Sequence, residues 1–544
     1  MKGVEVIYRD ATARSGKFLG EDGVEHIFPA AYDMDSIFPV LTDRERSFIP
    51  PLEEPEFVKR FFLWDQKEPV PVHIHADSSV LSGDTVITPG WHTLLNRPRD
   101  LLNQLEVLKT KFPPDTCWYL PGAALPDNVA VLVHLGFDIF DFKAVDLASS
   151  REQFCLPDGV YPKNLMEEGV CPCNGCKNGD LFEHNRINLQ AELALIKRKI
   201  HDGTMRDLVE ARCRSRSVYV SMMRIHDLTD RMEQSTPVSR SVPLIASSGD
   251  CLHRVEVRRF ANRLCDRYIP PISDVAVIIP CSAKKPYSLS KSHQKFIQAI
   301  SRRAHELILT SPLGLVPRDI ELAYPAACYD VPVTGYWDHE ERYQITRTLV
   351  RYFQRHPYRR IIAHVDGDAR LIVEDAAEQA GFNPEFTCNN EKPADSVSLS
   401  ALSEALAGER KVKSHMVRGM ISFQFGYDLR SPNLEVKGSY PEQVVKKGRN
   451  LLFSTDPGHG TIRPTFEGWS LIETGYRVYI DNFIPKGDIL APGVQDADPM
   501  IRPGDEVLVI GDQALATGRA AMGADEMIRS SRGVAVRVRK VKKI

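Results

Sequence analysis

VAVIIPCSAKKPYSLSKSHQKF, residues 275–296, opens as an apolar run and empties into a loop carrying a thiol, two amines, a phenol and an imidazole. Val275 to Ile279 is continuously apolar and largely β-branched rather than alternating, which predicts a strand covered on both faces. The chain turns at Pro280. Ser290 is the expected N-cap of a helix over 291–304, in which Phe296, Ile297, Ile300 and Ala304 recur at helical spacing. His293 then falls in the first turn, facing the loop. A strand, a polar loop and a helix N-terminus form the arrangement by which open α/β sheets bind ligands at the carboxyl edges of their strands. Two more segments fit the same sheet: 305–310 running into Ser311-Pro312-Leu313-Gly314, and 360–365 running into Asp366-Gly367-Asp368. If the three strands are parallel, Cys281, Lys285, Ser311, Asp366 and Asp368 collect at one edge.

A chain of 544 residues exceeds one hydrophobic core and implies roughly three to five domains. Its 43% hydrophobic and 26% charged content is that of a soluble globular protein. The start, MKGVEVIYRD, has no basic-then-apolar leader, and no apolar run reaches membrane-spanning length, so a cytoplasmic protein without membrane contact is expected. A net charge of -3 disfavours a uniformly basic surface, but the distribution of charge matters more than its sum. Arg529, Arg532, Arg537, Arg539, Lys540, Lys542 and Lys543 form an acid-free basic edge that suits a polyanion or, equally, a solvated tail.

Cytoplasmic cysteines argue against a disulfide framework, and most of the eleven stand alone as small apolar residues. Cys171-Pro172-Cys173-Asn174-Gly175-Cys176 is different. With His184 downstream, it supplies three thiolates and an imidazole, the donor set of a closed tetrahedral zinc site, with His201 as the alternative fourth ligand. A fully protein-filled site makes the zinc structural, clamping the loop to a helix over 187–200 that carries Leu189, Leu193, Ile196 and Ile200 on one face.

Strands and helices alternate from residue 2 to about 159, as in a barrel or its remnant. The β-α-β unit over 118–141 places Asp141 at the carboxyl end of a strand, where barrel chemistry sits. From 234 to 271 the pattern weakens and Ser, Pro and Gly clusters suggest a linker. Past about residue 476, short strands punctuated by Gly and Pro read as a compact β-barrel.

The wording P-C-x-x-x-K-P-Y-x-x-S-x-x-H, here Pro280, Cys281, Lys285, Pro286, Tyr287, Ser290 and His293, resembles the signature of archaeosine synthase, a paralogue of the archaeal tRNA-guanine transglycosylases. The C-terminal phrases resemble a PUA domain, which implies RNA contacts from Lys486, Arg502, Arg519, Arg537, Arg539 and Lys540. Gly136, Asp138, Phe140 and Asp141 resemble the transglycosylase motif whose last Asp is the covalent nucleophile. The companion D-S-G-G motif is missing; Ala76-Asp77-Ser78-Ser79 lacks the glycines, so Asp141 is expected to be vestigial or structural. The resemblance also covers C-x-C-x-x-C and the His184-Asn185 pair, though with a shorter spacer. The expected fold is α/β multidomain: a degenerate TIM-barrel-like transglycosylase region over 1–233 with its zinc segment at 171–184, and a linker over 234–271. An α/β catalytic domain over 272–408, a small α+β domain over 409–468 and a PUA barrel over 469–544 follow.

The resemblance implies action on tRNA carrying 7-cyano-7-deazaguanine (preQ0) in its D-loop. Free lysine would join the nitrile through its side-chain amine, and a radical-SAM partner would cleave the adduct to archaeosine; relatives suggest a homodimer. A nitrile is a sluggish electrophile, and an amine of pKa about 10.4 is mostly protonated near neutrality. The expected catalytic set is Cys281, Lys285, Tyr287, Ser290 and His293, with Cys281 attacking the nitrile and Lys285 or His293 moving protons. Ser311, Asp366 and Asp368 would bind substrate, an Asp holding the ammonium of lysine. Competing readings are a working transglycosylase, a non-catalytic tRNA scaffold, a Cys281 that merely packs at a strand end, and a Lys285 that contacts phosphate.

Overall fold

In a computed structural model the described residues are 4–20, 22–37, 70–72, 85–87, 95–272, 274–331, 336–389, 391–412, 417–430, 434–473 and 475–544. Their contacts group the chain into two compact units. One is Met1–Pro237 with Tyr479–Pro503 and Ala520–Arg537, and the other is Val238–Val478 with Gly504–Arg519 and Val538–Ile544.

Val275–Pro280 is the middle strand of a five-stranded sheet in the order Gly314–Pro317, His305–Thr310, Val275–Pro280, Arg360–Ala363, Pro384–Phe386. It runs parallel to both neighbours, as expected. Val275 to Ile279 are all buried, since five side chains without a polar atom gain from leaving water on either face of the sheet. The returning strand Gly314–Pro317 is antiparallel, and the turn before it needs Gly314 at φ +80°, where a Cβ would strike Thr348. Ser290 caps the helix Lys291–Ile300 by accepting from the His293 amide. That helix stops four residues earlier than its apolar period suggests, because Ser301 and Arg302 take left-handed conformations.

The stretch expected to be a linker is folded instead. Val255–Asp266 is a helix burying Val255, Val257, Phe260, Leu264 and Cys265. Arg259 and Arg263 are buried on it as well, and charges on the inward side are what broke the apolar period in the sequence. Residues 417–425 form a helix, followed by a four-stranded antiparallel meander from Leu434 to Pro464. A six-stranded sheet in the order Ile489–Leu490, Val534–Lys543, Ala514–Ala520, Glu506–Ile510, Arg477–Ile480, Val494–Ala497 follows.

In the first unit Ala30–Tyr32, Ile139–Asp141, Cys117–Tyr119 and Thr85–Ile87 lie in parallel succession, with Val70–Val72 antiparallel at the end. This is the barrel-like sheet expected, with Val129–His134 as the crossover helix and every residue of it buried. Residues 76–79 lie outside the described residues.

Candidate active site

Cys281 is the first residue past the central strand, and of the eleven cysteines it alone is exposed. Carrying the observed strand pairings on by one to three residues sets it level with Thr310 and Asp366 at the carboxyl edge of the sheet. The residue as a whole is exposed, while the loop atoms crowded around its sulfur desolvate the thiol and raise its pKa; the Thr310 hydroxyl and the Lys285 ammonium oppose the rise. Lys285 is half-buried and its Nζ stands 3.8 Å from the ring centroid of Tyr329. Burial lowers the pKa of that amine, against the pull of Cys281 and Asp330. A thiol and an amine whose charged forms are each weakened, and which stabilise one another, form a pair able to pass a proton.

The signature divides into an outward and an inward half. Cys281 and Lys285 reach the surface, whereas Tyr287, Ser290 and His293 are buried. Tyr287 donates to Thr310 Oγ1 at 3.3 Å and shares a short hydrogen bond with the Tyr329 hydroxyl. Thr310 and Tyr329 are also hydrogen-bonded to each other. Ser290 is occupied as the helix cap. His293 accepts a hydrogen bond on Nδ1 from Arg318 at 2.8 Å, and burial together with that cation lowers its pKa to about 3. A ring held neutral in this way is a poor proton carrier near neutrality.

Arg318 in turn pairs with Glu306 at 2.8 Å and with Glu321 at 2.9 Å, and Glu321 accepts from the Ser288 amide and the Tyr440 hydroxyl. These groups were absent from the sequence reading. Their one signal was an Arg and a Glu embedded in the apolar run 313–323, where charges are retained only as buried partners. Thr310 and Tyr329 carried no signal, since only the fold brings residues so far apart in sequence together.

Of the expected substrate contacts, Ser311 is buried and donates to Glu341 at 2.5 Å. Asp368 accepts from Arg342 at 3.0 Å. Asp366 is exposed at the start of the helix Gly367–Ala380 and makes no side-chain cap. Only Asp366 has the placement of a group that could meet an incoming ammonium; Ser311 and Asp368 are engaged within the chain.

In the first unit the Cys171, Cys173, Cys176 and His184 ligand atoms lie within 4.8 Å of one another. His184 Nδ1 is 3.3 Å from Cys173 Sγ and 3.2 Å from Cys176 Sγ. Its Nε2 lies 3.2 Å from the Cys155 carbonyl, and its ring stacks on Phe154 at 3.8 Å. That outer contact leaves Nδ1 free to bind metal. His201 pairs with Asp202 at 3.0 Å and is not part of the cluster.

Comparison with known proteins places these features. A profile described as a domain of unknown function (DUF5591) matches residues 257–406, and the PUA domain matches residues 477–542. The chain is 39% identical to the archaeosine synthase subunit alpha of Methanosarcina acetivorans, over 87% of this chain and 82% of that one. This chain belongs to the archaeosine synthase family. It is 38% identical to the archaeosine synthase of Haloferax volcanii, over 80% of this chain and 78% of the other. A tRNA-guanine(15) transglycosylase of Methanothermobacter thermautotrophicus is more distant, at 26% over 82% of this chain and 69% of the other.

In this member of the archaeosine synthase family, the Asp141 carboxylate is engaged by three donors of its own chain. It is buried, and accepts from Tyr119 at 2.7 Å, from the Gly122 amide at 3.0 Å and from the Lys143 amide at 3.0 Å. The expected basic edge of the PUA domain is partly spent on the fold. Arg502 pairs with Glu233 at 2.6 Å, Arg519 with Asp456 at 2.8 Å, and Arg539 with Glu506 at 2.7 Å. Arg529 donates to the carbonyls of Thr110 and Phe112 at 2.8 Å. Lys486, Arg537 and Lys540 are exposed. No helix among the described residues is long and apolar enough to cross a membrane.

Proposed function

We propose that this chain is a tRNA-modifying lysine transferase of archaeosine biosynthesis, joining the side-chain amine of free lysine to the nitrile of preQ0 in the tRNA D-loop. The observation that carries the reading is Cys281, an exposed residue at the carboxyl edge of the parallel strands, with the half-buried Lys285 on the same loop. Lys285 takes the thiol proton; the sulfur attacks the nitrile carbon, and the nitrile nitrogen receives that proton, giving a thioimidate. The lysine amine then adds to the same carbon. As the tetrahedral intermediate collapses, a proton passes from the incoming amine to the nitrile-derived nitrogen, the C–S bond breaks, the thiolate leaves and a protonated amidine remains. Asp366 holds the other ammonium of the substrate, and a radical-SAM enzyme consumes the adduct. Zinc fits the three-sulfur, one-nitrogen cluster; bound there it would brace the loop over 171–184 against the helix Leu181–Asp202. Tight binding of tRNA falls to the PUA domain, and the cytoplasm is the compartment where tRNA and free lysine meet. The four domains read from the sequence stand as part of this proposal, with 257–271 joined to the catalytic domain.

Mass spectrometry of preQ0-containing tRNA after incubation with the protein and lysine tests the reading: the base gains the mass of lysine. With Cys281→Ala the gain should fall about 100-fold or more. Near-normal turnover by that variant would return Cys281 to a packing role. A base that never changes mass would leave a tRNA-binding scaffold. Guanine exchange is the less favoured alternative, because the Asp141 carboxylate is buried and held by three donors of its own chain.

A further inference from the structure

Tyr329 lies outside the signature, on the two-residue strand Tyr329–Asp330 that pairs with Leu244–Ile245. It is 5% exposed, yet it contacts three groups that surround Cys281. Its ring face carries the Lys285 ammonium at 3.8 Å from the centroid. Its hydroxyl bonds the Thr310 hydroxyl, whose residue lies level with Cys281 at the strand ends, and it bonds the Tyr287 hydroxyl from the other side. An ammonium over an aromatic face is held by the ring quadrupole, most strongly where water is partly excluded. A free lysine side chain has many rotamers, so a fixed seat is what keeps its charge near the sulfur.

We propose that Tyr329 is the positioning residue of this site, its ring seating the Lys285 ammonium on the loop that carries the Cys281 thiol. The inference rests on the reading of Cys281 as nucleophile but makes a claim of its own about the thiol. The charged and titratable groups facing the pair are Lys285, Tyr287 and Tyr329 around the sulfur and Asp330 beside the amine. Asp366 lies on the same sheet edge. Tyr287 and Tyr329 keep their protons throughout the relevant range, since burial raises both. Lys285 is therefore the cation that decides how much thiolate is present.

The test uses the full chain without tRNA, pulsed with iodoacetamide from about pH 6 to about pH 10, with Cys281 alkylation read by peptide mass spectrometry. Lys285→Met and Tyr329→Leu should each lower the alkylation rate near pH 8 by about threefold or more. The double variant should fall no further than either one, because both remove the same charge from the same place. Tyr329→Phe, which keeps the ring, should stay within about twofold of the unaltered protein. If Tyr329→Leu loses its cooperative melt, Tyr329→Met gives the same readout with more of the volume retained. A Leu or Met variant that tracks the unaltered protein overturns the proposal. So does a Phe variant that falls as far as they do, or additive effects in the double variant. Loss of the nucleophile reading would show instead as lysine transfer surviving Cys281→Ala, whatever the alkylation profiles are.

Discussion

Arg318 donates to Nδ1 of His293 across 2.8 Å, so the imidazole beneath the reactive loop is an acceptor facing a permanent cation. Because protonation would place two positive charges in contact, the ring stays neutral, with its pKa lowered to about 3.

That depression makes the second unit sensitive to acid. The unfolded chain binds a proton at His293 near pH 6.5 and the folded one only near pH 3, so stability from this group is full above 6.5 and is lost as the pH falls through that window. Between pH 7 and pH 5 the loss is about 2 kcal/mol. His293→Gln should remove that share of the slope in urea unfolding at the two pH values. Equal slopes would mean that the ring protonates in the folded state near its ordinary pKa.

Asp141→Asn separates structure from chemistry in the barrel-like region. The variant loses an anionic acceptor for buried donors and should cost about 2 kcal/mol in thermal or urea unfolding, while lysine transfer stays within about twofold. A folded variant without transfer would restore Asp141 as a reacting group.

Cys173→Ser removes one thiolate from the cluster of three. Atomic emission should find one zinc per unaltered chain and a binding constant weaker by about tenfold or more in the variant. The first unit should melt earlier when a chelator is added. Equal metal content in the two proteins would rule out the cluster as the site.

The exposed and the paired cations of the C-terminal domain should respond differently. Arg537→Gln and Lys540→Gln should each weaken tRNA binding and lower the slope of log K against log salt by about one. Arg519→Gln should instead lower stability, since it leaves Asp456 and Glu506 short of a partner. Filter binding across a salt series, beside thermal melts, reads both. A salt slope unchanged by the exposed pair would move the tRNA surface elsewhere.

Local chemistry determined much of this protein by itself. A run of apolar side chains can only be a covered strand, Ser290 can only relieve a helix start that lacks acceptors, and Cys171, Cys173, Cys176 and His184 are close enough in the chain to meet around one ion. Those features depend on neighbours within a few turns, and they were legible.

Tertiary packing decided the rest. Whether a polar residue of the signature reaches substrate depends on what stands over it: Arg318 over His293 and Tyr329 over Tyr287 turn both inward, and leave Cys281 and Lys285 at the surface. Likewise, Arg519 and Arg539 read as free charges until the fold sets Glu506 beside them. The helix Val255–Asp266 was hidden because Arg259 and Arg263 lie on its buried side. A buried charge is tolerable only with a distant partner, and contacts between residues far apart in the chain leave no periodic trace in the sequence.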